Sequence, residues 1–363
     1  MATTPFSTEV TPDWESFVRC LRPGGKPANR VHHIELFLDR EIEEAICQRY
    51  GVLDGMDRGE PFVFERQRSI RLRRFLGYDY IHCGVPLDWP MHRHEVDDTA
   101  ELSRHGGRSF VDLHAGPITN WKQFEAYPWP DPAKADLRTF EWCQKHLPDD
   151  MCLIGGFTGH FCELLTWLMG YETLCTSLYD QPVLVQAMAD WIARIELACV
   201  KIMVQFDRVK AIWGSDDMGF RSGTLISPDD MRKYALGGHR DAARLAHEAG
   251  RPYLLHSCGN LDQIMEDLIE SVRVDAKHSY EDVIMPPEVF MQTYGDRMAV
   301  LGGIDVDFLC RSDEAAIRRR VRQTLEACMP HGGYCLGTGN SVTNYIPVDA
   351  YLAMVDEGRR FVL

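Results

Sequence analysis

The sequence predicts an α/β protein built as a closed (β/α)8 TIM barrel, and three observations carry that expectation. Short apolar runs alternate with amphipathic segments of helix length, the pattern of βα units around a parallel sheet. Eight such runs can be counted, which favours a closed barrel over an open doubly wound sheet. No linker divides the chain, although 363 residues would by length suggest about two domains.

The eight expected strands are residues 33–37 (HIELF), 80–83 (YIHC), 152–155 (CLIG), 211–213 (AIW), 253–255 (YLL), 276–278 (AKH), 299–302 (AVLG) and 334–336 (YCL). A polar arm over residues 1–30 precedes them, and residues 31–363 read as a single barrel domain. Between the second and third strands the rhythm breaks over about 97–134, a stretch that contains the Pro-rich WPDP and reads as an insertion. Two helices are well marked. Ser227-Pro228 supplies an N-cap with Pro in the first turn of a helix running to the Ala249-Gly250 stop, and Gln181-Pro182 opens another that continues to about Phe206.

Composition limits the function classes. With 45% apolar and 26% charged residues the chain can bury a sizeable core. A formal charge of -15 argues against a phosphate-binding surface, so nucleic acid is not an expected partner. No apolar run reaches the roughly 18 residues of a membrane span, and the opening MATTPFSTEVTPDWESF has neither the basic segment nor the apolar stretch of a signal peptide. A cytoplasmic location follows as the expectation. The twelve cysteines then read as free thiols, mostly small core residues.

In a barrel the catalytic groups lie just beyond the C-terminal ends of the strands. Those positions hold Glu35, Asp216, Asp217, His256, Cys258, Lys277, His278, Asp305 and Cys335. The strongest element is His256-Ser257-Cys258, because side chains two apart on an extended chain face one side and can reach one ion. An imidazole and a thiolate suit zinc, and Cys335 at the end of the last strand could join them across the barrel mouth. Three ligands would leave one tetrahedral position open, as catalytic zinc requires. The same residues also read as two core thiols and a hydrogen-bonded buried histidine, and spacing does not separate the two.

The other positions carry paired readings. Asp216 and Asp217 are a substrate-orienting pair or a cap and its solvated neighbour. Lys277 and His278 alternate along a strand, so one of them enters the site. Glu35 after Ile34 belongs in the mouth, where a carboxylate finds a partner or water. Asp305 lines the site or holds the loop that follows it. Arg221 anchors an anionic substrate group or makes a surface salt bridge. Trp213, Phe157 and Tyr280 line an apolar pocket or pack in the core. Neither LGGID nor LGTGN has the spacing of a dinucleotide-binding loop.

Residues 216–351, with HSC followed far downstream by GYCLGTG, resemble the C-terminal half of the uroporphyrinogen decarboxylase superfamily, in its zinc-dependent, corrinoid-dependent methyltransferase branch. The segments HHIELFLDREI, LTWLMGYETL and LGGIDVDFL are also similar to that family. The resemblance implies the barrel, one zinc on His256, Cys258 and Cys335, and cobalamin carried by a separate corrinoid protein. It implies methyl transfer to a thiol, or from a methyl ether such as a methoxylated aromatic. Decarboxylation of uroporphyrinogen is not implied: the RQAGRY and FSD-type segments of the true decarboxylases are replaced by ERQRSIRLRRF and DYIHCGVPL, and the histidine of their LGHG is Thr338. Two other functions remain in view, a decarboxylase or lyase of a small acid held by Arg221, and a zinc-stabilised corrinoid- or tetrapyrrole-binding subunit. A homodimer is an admissible assembly.

Overall fold

Seven of the apolar runs form one parallel sheet, and their burial on both faces explains why they are almost continuously apolar. The computed structural model describes residues 4–104 and 107–362; the first three residues of the expected arm, residues 105 and 106 of the expected insertion, and residue 363 lie outside it. In chain order the strands are β1 (Tyr80–Cys83), β2 (Arg93–Val96), β3 (Arg108–Val111), β4 (Cys152–Thr158), β5 (Val209–Ser215), β6 (Gly219–Phe220), β7 (Gly223–Thr224), β8 (Tyr253–His256), β9 (Ala276–His278), β10 (Ala299–Leu301) and β11 (Tyr334–Cys335). The sheet runs β1-β4-β5-β8-β9-β10-β11 with every pair parallel. β2 pairs with β3, and β6 with β7, as small antiparallel hairpins beyond β1 and β5.

The run expected as the first strand behaves differently. Residues 33–37 form no strand but bridge to the last one, His33 opposite Leu336, with Ile34 N–H to Leu336 O at 2.8 Å and Leu336 N–H to His32 O at 2.8 Å. Towards β1 the contacts come from side chains. The Tyr80 hydroxyl accepts from Glu35 N at 2.9 Å and donates to Glu35 O at 3.0 Å, while His82 Nε2 meets the same carbonyl at 3.1 Å. A phenol thus stands where ladder hydrogen bonds would, and the segment sits beside both edges of the sheet.

The N-terminal helix Trp14–Cys20 packs at the opposite end from the strand-end loops. Phe17 stacks on Tyr80 at 5.1 Å, and buried Asp79 accepts from Asp13 N at 2.6 Å and pairs with His32 at 2.7 Å. The helix Pro182–Met203 ends close to its expected limit. Ser227 caps the helix Pro228–Tyr234 through Asp230 N at 3.1 Å, but the expected single helix breaks at Ala235 and restarts as Leu236–Glu248. Gly238 in the second piece lies so close to the Phe161 ring that a Cβ would collide with it, so this helix packs tightly on that ring. Between β1 and β4, Phe124, Tyr127, Trp129 and Trp191 cluster with ring centres 4.8–6.1 Å apart and hold that excursion to the helix Pro182–Met203. Among the described residues no helix is long and apolar enough to cross a membrane.

Candidate metal centre

β8 ends on His256, and the turn that follows brings Cys258 back over it. Their side chains meet, with Sγ 3.6 Å from Nε2. The loop after β5 is fastened to this turn: Asp217 Oδ1 accepts from Cys258 N at 2.9 Å, Ser257 Oγ accepts from Met218 N at 3.1 Å, and Asn260 N donates to Phe220 O at 2.8 Å. Gly259, at φ 82°, lies against the Gly219 backbone where a Cβ would collide. The result is a group of three, Asp217, His256 and Cys258, whose ligand atoms lie within 4.8 Å of one another. Asp217 Oδ1 is 3.4 Å from His256 Nε2.

These separations fit a bound ion. With zinc–sulfur and zinc–nitrogen bonds of about 2.3 and 2.0–2.1 Å, a tetrahedral centre places a sulfur and a nitrogen ligand about 3.6 Å apart and two light ligands about 3.4 Å apart. Burial, and then the Asp217 carboxylate, push the Cys258 thiol well above its ordinary range, so its thiolate form needs a cation beside it. Asn340 adds a contact that the sequence did not single out, its Nδ2 donating to Cys258 Sγ at 3.2 Å. The only hint was a polar side chain just beyond the last strand.

The structure does not bring Cys335 to this group. Its thiol is fully buried and lies beside the Cys20 thiol of the N-terminal helix. His278 does reach the group, with Nδ1 2.7 Å from His256 Nδ1 and Nε2 3.2 Å from Thr338 O. Lys277, one residue earlier, leaves the strand on its other face, but its ammonium, which donates to Ser279 O at 2.6 Å over the Tyr280 ring, stays within electrostatic reach of Cys258 and Asp217; burial lowers it to about 8. Glu35 accepts from Thr338 N at 2.8 Å and Thr338 Oγ1 at 2.5 Å, and burial raises it to about 8.

Asp216 is occupied in supporting the loop: fully buried, it accepts from Cys162 N, Glu163 N and His239 Nε2 at 2.7–2.9 Å and so caps the helix Phe161–Met169. Trp213 is buried between the rings of His82 at 5.3 Å and His278 at 5.5 Å. Its Nε1, like His82 Nδ1, has no hydrogen-bond partner among the described residues. Half-exposed Phe157, at φ 57°, joins Trp89, Trp167 and Met91 around a cleft of about 450 Å³. Tyr280 and Asp305 line another of about 580 Å³ that reaches Asn340, and Asp305 also caps the helix Val306–Arg311 through Phe308 N at 3.1 Å. Arg221 stands exposed at the tip of the β6–β7 hairpin.

Comparison with known proteins agrees with this architecture. Residues 112–361 match the family described as uroporphyrinogen decarboxylase (URO-D). A methylated-thiol--coenzyme M methyltransferase of Methanosarcina mazei is 27% identical over 163 residues, which span 44% of this chain and 41% of that protein. A methyltransferase structure from Methanosarcina mazei superposes with a TM-score of 0.65 at 14% identity, covering 94% of this chain and 97% of the other. A B12-independent methionine synthase from Shewanella sp. W3-18-1 gives a TM-score of 0.50 at 11% identity, covering 93% and 97%. At such identities the structural likeness speaks for the fold.

Proposed function

The chain belongs to the uroporphyrinogen decarboxylase (URO-D) family, and from that premise we propose that it is a zinc-dependent methyltransferase moving a methyl group between a corrinoid protein and a small substrate, a thiol or a methyl ether. The observation that carries this reading is the group of Asp217, His256 and Cys258 at the strand ends, with edges that suit a tetrahedral ion. The methyltransferase relative, matched over two fifths of its length, supports the reaction class.

His256 and Cys258 hold the metal in this reading. Zinc supplies a Lewis acid, able to lower the pKa of a thiol or to polarise an ether oxygen. The rest falls to the chain itself. Asp216 fixes the loop that carries Asp217 by capping the helix behind it. Trp89, Trp167 and Phe157 give one side of the open 450 Å³ cleft aromatic surface against which an aromatic ring can lie, while Arg93, His160 and Glu196 make the rest of its lining polar. Residues 33–37 take the eighth position of a closed barrel in this reading, so the mouth is ringed by loops. Those loops carry half-exposed Phe110, Phe157, Phe220 and Tyr345, an apolar rim of the kind that receives a protein carrying the corrinoid.

Cobalt absorbance tests the proposal. The purified protein, mixed with a methylcorrinoid protein and candidate thiols, or with the Co(I) form and aryl methyl ethers, is expected to interconvert the two cobalt spectra in one of these pairings. Unchanged spectra in every pairing, with zinc bound, would remove methyl transfer as the function.

A further inference from the structure

The hydrogen bonds behind His256 determine which of its nitrogens carries a proton. A carbonyl oxygen only accepts, so His278 Nε2, 3.2 Å from Thr338 O, bears a hydrogen. The two Nδ1 atoms of His278 and His256, 2.7 Å apart, have room for one proton between them. His278 is fully buried, edge-on to Trp213, and its hydrogen-bond partners among the described residues are the His256 ring and the Thr338 carbonyl. With the shared proton on His256 Nδ1, His278 Nδ1 accepts it, and His256 Nε2 then presents its lone pair to the side of Cys258 and Asp217.

That lone pair faces two more electron-rich atoms, Cys258 Sγ at 3.6 Å and Asp217 Oδ1 at 3.4 Å. With the thiol deprotonated, these three atoms converge on one point as an imidazole nitrogen, a thiolate and a carboxylate oxygen, all within 4.8 Å of one another, the arrangement a bound cation holds together. One of the three is a sulfur and one a carboxylate oxygen, whereas the thiol of Cys335 lies beside Cys20.

We propose that the metal centre of this chain contains a single thiolate, with Asp217, His256 and Cys258 as its protein ligands, and that His278 is a positioning residue holding His256 in its metal-binding tautomer. Thr338 fixes His278 through its carbonyl, and Glu35 in turn holds Thr338 by its N–H and hydroxyl. Asn340 donates to the sulfur, which tempers the charge of the one thiolate. The ion is a borderline divalent cation such as zinc, since an imidazole, a thiolate and a carboxylate together suit neither a hard nor a soft ion alone. This rests on the metal centre of the proposed function but not on methyl transfer.

X-ray absorption on the zinc-loaded full chain gives the sulfur count directly. One sulfur at about 2.3 Å with light atoms at about 2.0–2.1 Å is expected, together with full zinc content in Cys335→Ala and loss of it in Asp217→Ala. His278→Ala is expected to weaken zinc binding about 10- to 100-fold in a chelator competition, and His278→Asn, which keeps an acceptor near the Nδ1 position, to recover most of that loss. Two sulfurs in the resting shell, or zinc lost from Cys335→Ala, would overturn the single-thiolate centre while leaving methyl transfer standing. Equal affinity in wild type and His278→Ala would overturn the positioning role. Protein that takes up no zinc would sink both readings.

Discussion

Among the described residues Glu35 has no cation in hydrogen-bonding reach; its two oxygens meet Thr338. In the acid form its O–H can donate to Thr338 Oγ1, whose own proton then goes to Asn340 O at 3.0 Å, so the uncharged side chain is fully satisfied. Burial raises the carboxyl from 4.5 to about 8. Between those values the folded chain holds more protons than the unfolded one, so stability falls as pH rises, by on the order of 3–5 kcal/mol across the window. Glu35→Gln keeps the hydrogen bonds without the ionisation. It should match wild type below the lower value and exceed it increasingly towards the upper one, as read from denaturant midpoints in a pH series. Parallel midpoints for the two proteins would show that Glu35 is not buried as an acid. The same scale shows what sequence could reveal of the site. His256 and Cys258 were legible because two-residue spacing at a strand end puts both on one side. Cys335, expected as their neighbour, lies instead beside Cys20 of a helix within a stretch read only as an arm, because its direction depends on what packs beneath the last strand. Asn340, five residues on, returns towards Cys258 only through the loop after β11, which no pattern announces.

At the scale of elements, the seven strands of the sheet were legible as apolar runs since both of their faces are buried. Residues 33–37 have the same composition and yet make no ladder on the β1 side, because the partner there is a side chain. The β2–β3 hairpin escaped notice for the opposite reason. β2, Arg93–Val96, is exposed along its whole length and shows no apolar alternation. Tyr80→Phe tests the unusual seam. It removes the acceptor of Glu35 N and one of two donors to Glu35 O, leaving a buried N–H unpaired at a cost of about 1–3 kcal/mol. Amide hydrogen exchange in 33–37 should accelerate roughly tenfold to a hundredfold while β4 and β5 keep their protection. Uniform acceleration across the sheet would mean that the seam has no local stability of its own.

For the whole molecule, the path from Glu35 through Thr338 and His278 to His256 joins the first residues at the sheet's edge to the proposed metal ligands, across elements that the sequence keeps some 300 positions apart. Linkage then works in both directions. An ion that binds only the closed arrangement adds about 2.7 kcal/mol to closure when present at a hundred times its dissociation constant. Chelation should therefore loosen residues 31–38 well away from the ligands themselves, and limited proteolysis should cut there first in the stripped protein and slowly in the loaded one, a contrast that Thr338→Ala should narrow. Zinc availability in the cell would thereby set not only how much of this protein is competent but how long each copy survives.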